Sequence, residues 1–78
     1  MSFSLKDQLE EAIGKVDDKE FQKASKMAIE DLIANNRCTE KQIEEALDVD
    51  NEGTDIEIIR GELIATTIIS LRVLRKIK

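Results

Sequence analysis

Nine consecutive residues near the end of the chain, Leu63-Ile64-Ala65-Thr66-Thr67-Ile68-Ile69-Ser70-Leu71, carry no charge. They lie within a stretch from Asp55 to Lys78 that reads as one uninterrupted helix. At 100° per residue, Ile56, Ile59, Leu63, Thr66, Ser70, Leu74 and Ile77 form its main stripe. Ile64, Ile68 and Leu71 form a second side, and Ile58 and Ile69 point toward a third. A helix that is apolar around its girth needs cover from every direction. Each large aliphatic left in water forfeits roughly 1.5–3 kcal/mol. Three or four of them would match the whole stability of a small domain.

The remaining residues offer limited cover. A chain of 78 residues makes one domain, here 1–78, and a domain of this size is often marginal unless a disulfide, a metal or a second copy supports it. Cys38 is the single cysteine, which rules out an internal disulfide and fits a reducing compartment. There is no histidine, the commonest metal ligand. Self-association is the support that is left. The expectation is a symmetric homo-oligomer built through the last helix, with Ile59, Leu63, Ile64, Thr67, Ile68, Ser70, Leu71 and Leu74 at the interface. The small residues Thr66, Thr67 and Ser70 would let two such helices approach closely, or would hydrogen-bond back to their own turn.

Capping signals divide the chain. Asp17 with Glu20, Thr39 with Gln42, and Thr54 with Glu57 have capping-box spacing, and Ser4 with Asp7 is a looser version. Val16 before Phe21 and Cys38 before Ile43 have the spacing of hydrophobic staples. Gly14 and the Asn35-Asn36 pair suit helix C-termini. With no proline and no strand-like alternation, the fold class is all-α: a small bundle of helices at about 4–13, 18–35, 40–48 and 55–78. The last is about 36 Å long and the second about 27 Å, so one end of the last helix should overhang the bundle. Expected inward residues are Leu5, Leu9, Ala12 and Ile13; then Phe21, Ala24, Ala28, Ile29, Leu32 and Ile33; then Ile43, Ala46 and Leu47.

Charge is unevenly placed. Residues 1–59 hold sixteen acids against seven bases, a net −9, whereas residues 60–78 hold one acid against five bases, a net +4. The basic end complements a helix macrodipole. It also provides a candidate anion site in Arg60, Arg72, Arg75 and Lys76. Glu40, Glu44, Glu45 and Asp48 make the third helix a candidate acidic partner surface. That acidity opposes reading of DNA by the helix-turn-helix-like 18–48 segment, because a phosphate backbone repels it. Asp48-Val49-Asp50-Asn51-Glu52-Gly53 opens like a calcium loop. Position twelve, however, is Ile59 instead of the bidentate glutamate, so the segment is read as a turn and no metal is assigned. No nucleophile–base pair or glycine-rich phosphate loop is present, so no enzyme activity and no cofactor are expected. The start of the chain is polar and the apolar run is about half of the roughly 20 residues needed to span a bilayer. The expectation is a cytoplasmic protein away from membranes.

The last helix, with Ile58-Ile59-Arg60-Gly61-Glu62-Leu63 followed by Ser70-Leu71-Arg72, resembles the final helix of the anti-CBASS phage sponge family over about twenty residues. That resemblance implies a helical homo-oligomer that sequesters cyclic oligonucleotides, with Arg60 and Arg72 at the ligand. The small, acidic, helical character also resembles phage accessory proteins that inhibit host machinery by binding. The favoured expectation is a phage-type inhibitor or adaptor acting stoichiometrically on a protein partner through its acidic surface. The alternatives are a homo-oligomeric sponge for a phosphate-bearing small molecule and, ranked last, a DNA-associated protein.

Overall fold

The computed structural model describes residues 4–14, 16–48 and 50–77, the side chain of Ile77 excepted. Four helices follow in order: α1 (Leu5–Ile13), α2 (Asp18–Ala34), α3 (Glu40–Leu47) and α4 (Thr54–Ile77). There is no strand among the described residues. Their boundaries follow from side chains that satisfy orphan backbone groups. Ser4 Oγ accepts from the Asp7 N–H at 3.1 Å and starts α1. Asp17 Oδ1 accepts from the Lys19 N–H at 2.9 Å and starts α2. Thr39 and Gln42 form a reciprocal capping box: Thr39 Oγ1 accepts from the Gln42 N–H at 3.2 Å, and Gln42 Oε1 from the Thr39 N–H at 2.9 Å. Each such cap supplies about 1 kcal/mol.

The C-termini are equally local. Gly14 ends α1 at φ 90°, ψ −163°, a backbone region open to glycine but outside the left-handed helical well expected there. Asn36, at φ 55°, takes the left-handed position after α2. Its N–H donates to the Ile33 carbonyl at 3.1 Å, and the Arg37 N–H donates to the Leu32 carbonyl at 2.9 Å. These are the two hydrogen bonds of a Schellman motif. The start of α4 differs from expectation. The Gly53 carbonyl accepts from the Glu57 N–H at 3.0 Å, so Gly53 occupies the cap and Thr54 is already helical.

Each of the three shorter helices packs chiefly on α4, and α2 does so most extensively. The Cα atoms fill a slab of 37 × 32 × 15 Å. Its length is that of α4. Its thickness is that of two helix layers, since packed helices lie about 8–10 Å apart on Cα cylinders of about 2.3 Å radius. The core contains Leu5, Leu9, Phe21, Ala28, Leu32, Cys38, Ile43 and Leu63, with Ile13, Val16, Ile29, Ile33, Ile59 and Ile64 packed around it. Val16 with Phe21, and Cys38 with Ile43, therefore join the core as the staple spacing requires.

Leu74 shares a surface depression with Lys19, Glu20 and Lys23, so α2 begins where α4 ends and the two run antiparallel. This register brings Ala24 level with Ser70, Ala28 with Thr66 and Thr67, and Leu32 with Leu63. All of these are buried. Small residues on both helices permit close approach there. Thr67 is fully buried, and its Oγ1 donates to the Leu63 carbonyl at 2.7 Å, which satisfies the hydroxyl within its own helix.

That packing covers four of the eight residues expected at an oligomer interface. Leu63, Thr67, Ser70 and Leu71 are buried inside a single subunit, because α2 and its neighbours already cover them. Ile59, Ile64, Ile68 and Leu74 are half-buried. The large apolar residues that α4 leaves in solvent are Ile58 at 60%, Ile69 at 60% and Val73 at 43%. Two inward assignments also change. Ala12 is exposed, since it lies beyond the edge of the wedge that Leu5 and Leu9 bury. Leu47, in the last turn of α3, is 46% exposed.

Candidate functional site

Leu47 is exposed because α2 and α3 diverge after their connection. The space between them is floored by Ile29, Ile33, Ile43 and Leu47 and edged by Glu40 and Glu44. A second hollow, lined by Leu5, Lys6, Leu9, Phe21, Ser25, Ile29, Leu47 and Leu63, shares Ile29 and Leu47 with the first. Together they form one apolar trough along the Phe21–Ser25–Ile29–Ile33 ridge of α2, with α1 on one side and α3 on the other. The spacing of that ridge, four residues each time, keeps it on one line of the helix surface.

Polar groups mark both ends. Glu40 and Glu44 are exposed on the first two turns of α3. At the α1 end, Lys6 Nζ lies 3.2 Å from Asp18 and 3.8 Å from Glu10, and 5.9 Å from the centroid of the Phe21 ring. The hydrogen bond to Asp18 and the carboxylates around it raise the Lys6 pKa above its usual value. Within the trough, Ser25 Oγ is buried and has no hydrogen-bond partner among the described residues. An unsatisfied buried hydroxyl costs about 1–3 kcal/mol.

The four acidic residues singled out in the sequence divide between two jobs. Glu40 and Glu44 border the trough. Glu45 is half-buried, and Asp48 is exposed in the turn after α3, where its Oδ1 accepts from the Asp50 N–H at 3.1 Å.

The basic residues divide likewise. Arg60 is not presented to a ligand. Its Nε donates to the Ala46 carbonyl at 2.8 Å, and Nη2 donates to the Asn51 carbonyl at 2.8 Å and to the Asp48 carbonyl. The guanidinium thus caps the C-terminal end of α3 and gathers the carbonyls of the turn that looked like a calcium loop. A tethered cation takes up those carbonyls. Val49 of that segment lies outside the described residues. No group of three or more histidine, cysteine, aspartate or glutamate residues is arranged to hold a metal ion among the described residues. Arg72, Arg75 and Lys76 are exposed in the last turns of α4. Arg72 stands twelve residues from Arg60, about 18 Å along the axis, and 120° around it, so the two do not converge within one subunit.

Sequence reasoning found the acidic edge and the half-buried Ile29 and Ile33. It placed Leu47 inward, and it missed Ser25 and the role of Arg60. The acceptors of Arg60 are backbone carbonyls, which leave no trace in residue type. No helix among the described residues is long and apolar enough to cross a membrane. No protein-family model, curated protein or solved structure matches this chain.

Proposed function

We propose that this protein is a non-enzymatic binding protein, an inhibitor or adaptor that acts stoichiometrically on a protein partner. It takes an amphipathic segment of that partner into the α1–α2–α3 trough. The supporting observation is an open apolar floor of Ile29, Ile33, Ile43 and Leu47 with carboxylates at its edge. An apolar floor selects a segment with two or three large aliphatic or aromatic side chains at helical spacing. Glu40 and Glu44 select one that carries lysine or arginine beside them. Sequestration of a phosphate-bearing small molecule ranks second. With Arg60 committed to the turn, that reading rests on Arg72, Arg75 and Lys76.

Methyl NMR of the full chain separates these readings. A Leu/Lys amphipathic helical peptide should shift the methyl signals of Ile29, Ile33, Ile43 and Leu47, and its Leu/Glu counterpart should not. The shifts should vanish in the Glu40→Lys, Glu44→Lys double variant. Equal responses to both peptides, or none, overturn the trough as the binding site. Shifts confined to Val73 and Leu74 on adding a cyclic dinucleotide would favour the second reading.

A further inference from the structure

The outer side of α4, opposite the three shorter helices, carries a stripe of residues at alternating three- and four-residue intervals: Asp55, Ile58, Glu62, Ala65, Ile69, Arg72 and Lys76. All seven are exposed. That interval pattern is the seam of a two-helix coiled coil. Ile58 and Ile69, each 60% exposed, are its large apolar members. Val73, at 43%, flanks it. The centre is narrow: Ala65 has a small side chain, and a Cβ placed on neighbouring Gly61 would meet no atom within 4 Å. Glu62 is drawn aside by Arg37, 3.2 Å away.

Charge along the stripe is polarised. Asp55 and Glu62 stand in its N-terminal half, and Arg72 and Lys76 in its C-terminal half. A parallel pair would set Asp55 against Asp55 and Arg72 against Arg72. An antiparallel pair sets opposite charges together and opposes the two macrodipoles. One antiparallel register pairs six of the seven members, all but Lys76. With the two-fold axis level with Leu63 and Ile64, Ile58 meets Ile69 of the second copy, Asp55 meets Arg72, and Glu62 meets Ala65. Such an isologous contact closes on itself and leaves no further stripe exposed.

We propose that the outer face of α4 binds a second copy of this chain in that antiparallel register, forming a two-fold dimer. The interface is distinct from the trough and does not rest on it. Its residues replace those that the apolar middle of the helix led one to expect, since Leu63, Thr67, Ser70 and Leu71 are spent inside the subunit.

Sedimentation equilibrium and disulfide trapping test this with the full chain, Cys38→Ser serving as background. Chains carrying Ile58→Cys should trap those carrying Ile69→Cys, whereas neither should trap itself. Asp55→Arg alone should weaken the dimer on the order of tenfold, as should Arg72→Asp alone. The two changes combined in one chain should restore it. A monomer at the highest concentration reached, or Ile58→Cys trapping itself as fast as the mixture, overturns the proposal. Circular dichroism of each variant shows whether the fold is intact. If the double charge reversal fails to restore assembly in a folded chain, the antiparallel register is wrong.

Discussion

The two sides of α4 are both uncharged through the middle of the helix and meet different fates there. Its inner side, with Leu63, Thr66, Thr67, Ser70 and Leu71, is buried against the shorter helices. Its outer side, with Ile58, Ala65, Ile69 and Val73, is exposed. Charge separates them at the ends, because Asp55, Glu62, Arg72 and Lys76 all stand on the outer side. In the uncharged middle, Ala65 and Ile69 outside are no less apolar than Thr66, Thr67 and Ser70 inside. The complementary surface on α2 decides: Ala24 and Ala28 stand level with threonines and a serine, so shape and close approach select the inner side. Hydrophobic burial stabilises whatever is covered. Which side is covered follows from where two sets of small residues fit each other.

The sharpest way to break this comparison is to truncate one residue on each side. Leu63→Ala should destabilise the chain by about 2–5 kcal/mol, because a fully buried leucine leaves a cavity. Ile69→Ala should change monomer stability by less than about 0.5 kcal/mol, as surface substitutions usually do. Urea unfolding at concentrations low enough to keep the chain monomeric reads both values. Similar losses at the two positions would mean that the inner and outer sides have been misassigned.

Arg60 lies on the inner side, between the phases of Thr67 and Leu71, and gives the next largest effect. Arg60→Lys keeps the charge but loses the planar fork that reaches three carbonyls. It should cost about 1.5–3 kcal/mol, the range for hydrogen bonds to a charged group. Hydrogen exchange of the last turn of α3 should accelerate more than that of α2. Uniform acceleration in both helices would show that Arg60 acts on global packing and not on the turn. The smallest expected effect sharpens the outer side alone. Gly61 is helical, exposed and unobstructed, so Gly61→Ala should stabilise the monomer by about 0.5–1 kcal/mol through helix propensity. A loss of stability on that change would show that the position is not open.

Much of the fold was legible because its signals are local. Ser4, Asp17 and Thr39 each act within three residues, and the staples at Val16 and Cys38 and the left-handed Asn36 act within five. The first three helices accordingly fall within one residue of their expected ends. Periodicity was weaker at the margins of each apolar wedge. It includes Ala12 and Leu47 without saying that the neighbouring helix stops short of one and diverges from the other. In α4 periodicity ranked the sides: the main stripe through Leu63, Thr66 and Ser70 is the buried one, and Ile58 and Ile69, on the third side, are exposed. The candidate site was legible only in part. Glu40 and Glu44 are conspicuous by charge, but the trough they border exists only because α2 and α3 splay apart.

The clasp of Arg60 on the carbonyls of Ala46, Asp48 and Asn51 reaches further than the turn it closes. One wall of the trough is the last turn of α3, and this side chain adds a polar tie to the apolar packing that already holds α3 on the longest rod in the molecule. The gap between the walls is therefore held in part by a strut rooted on the far side of the bend. Tuning how wide a guest the protein admits is then a matter of altering the strut, with every residue that touches the guest left as it is.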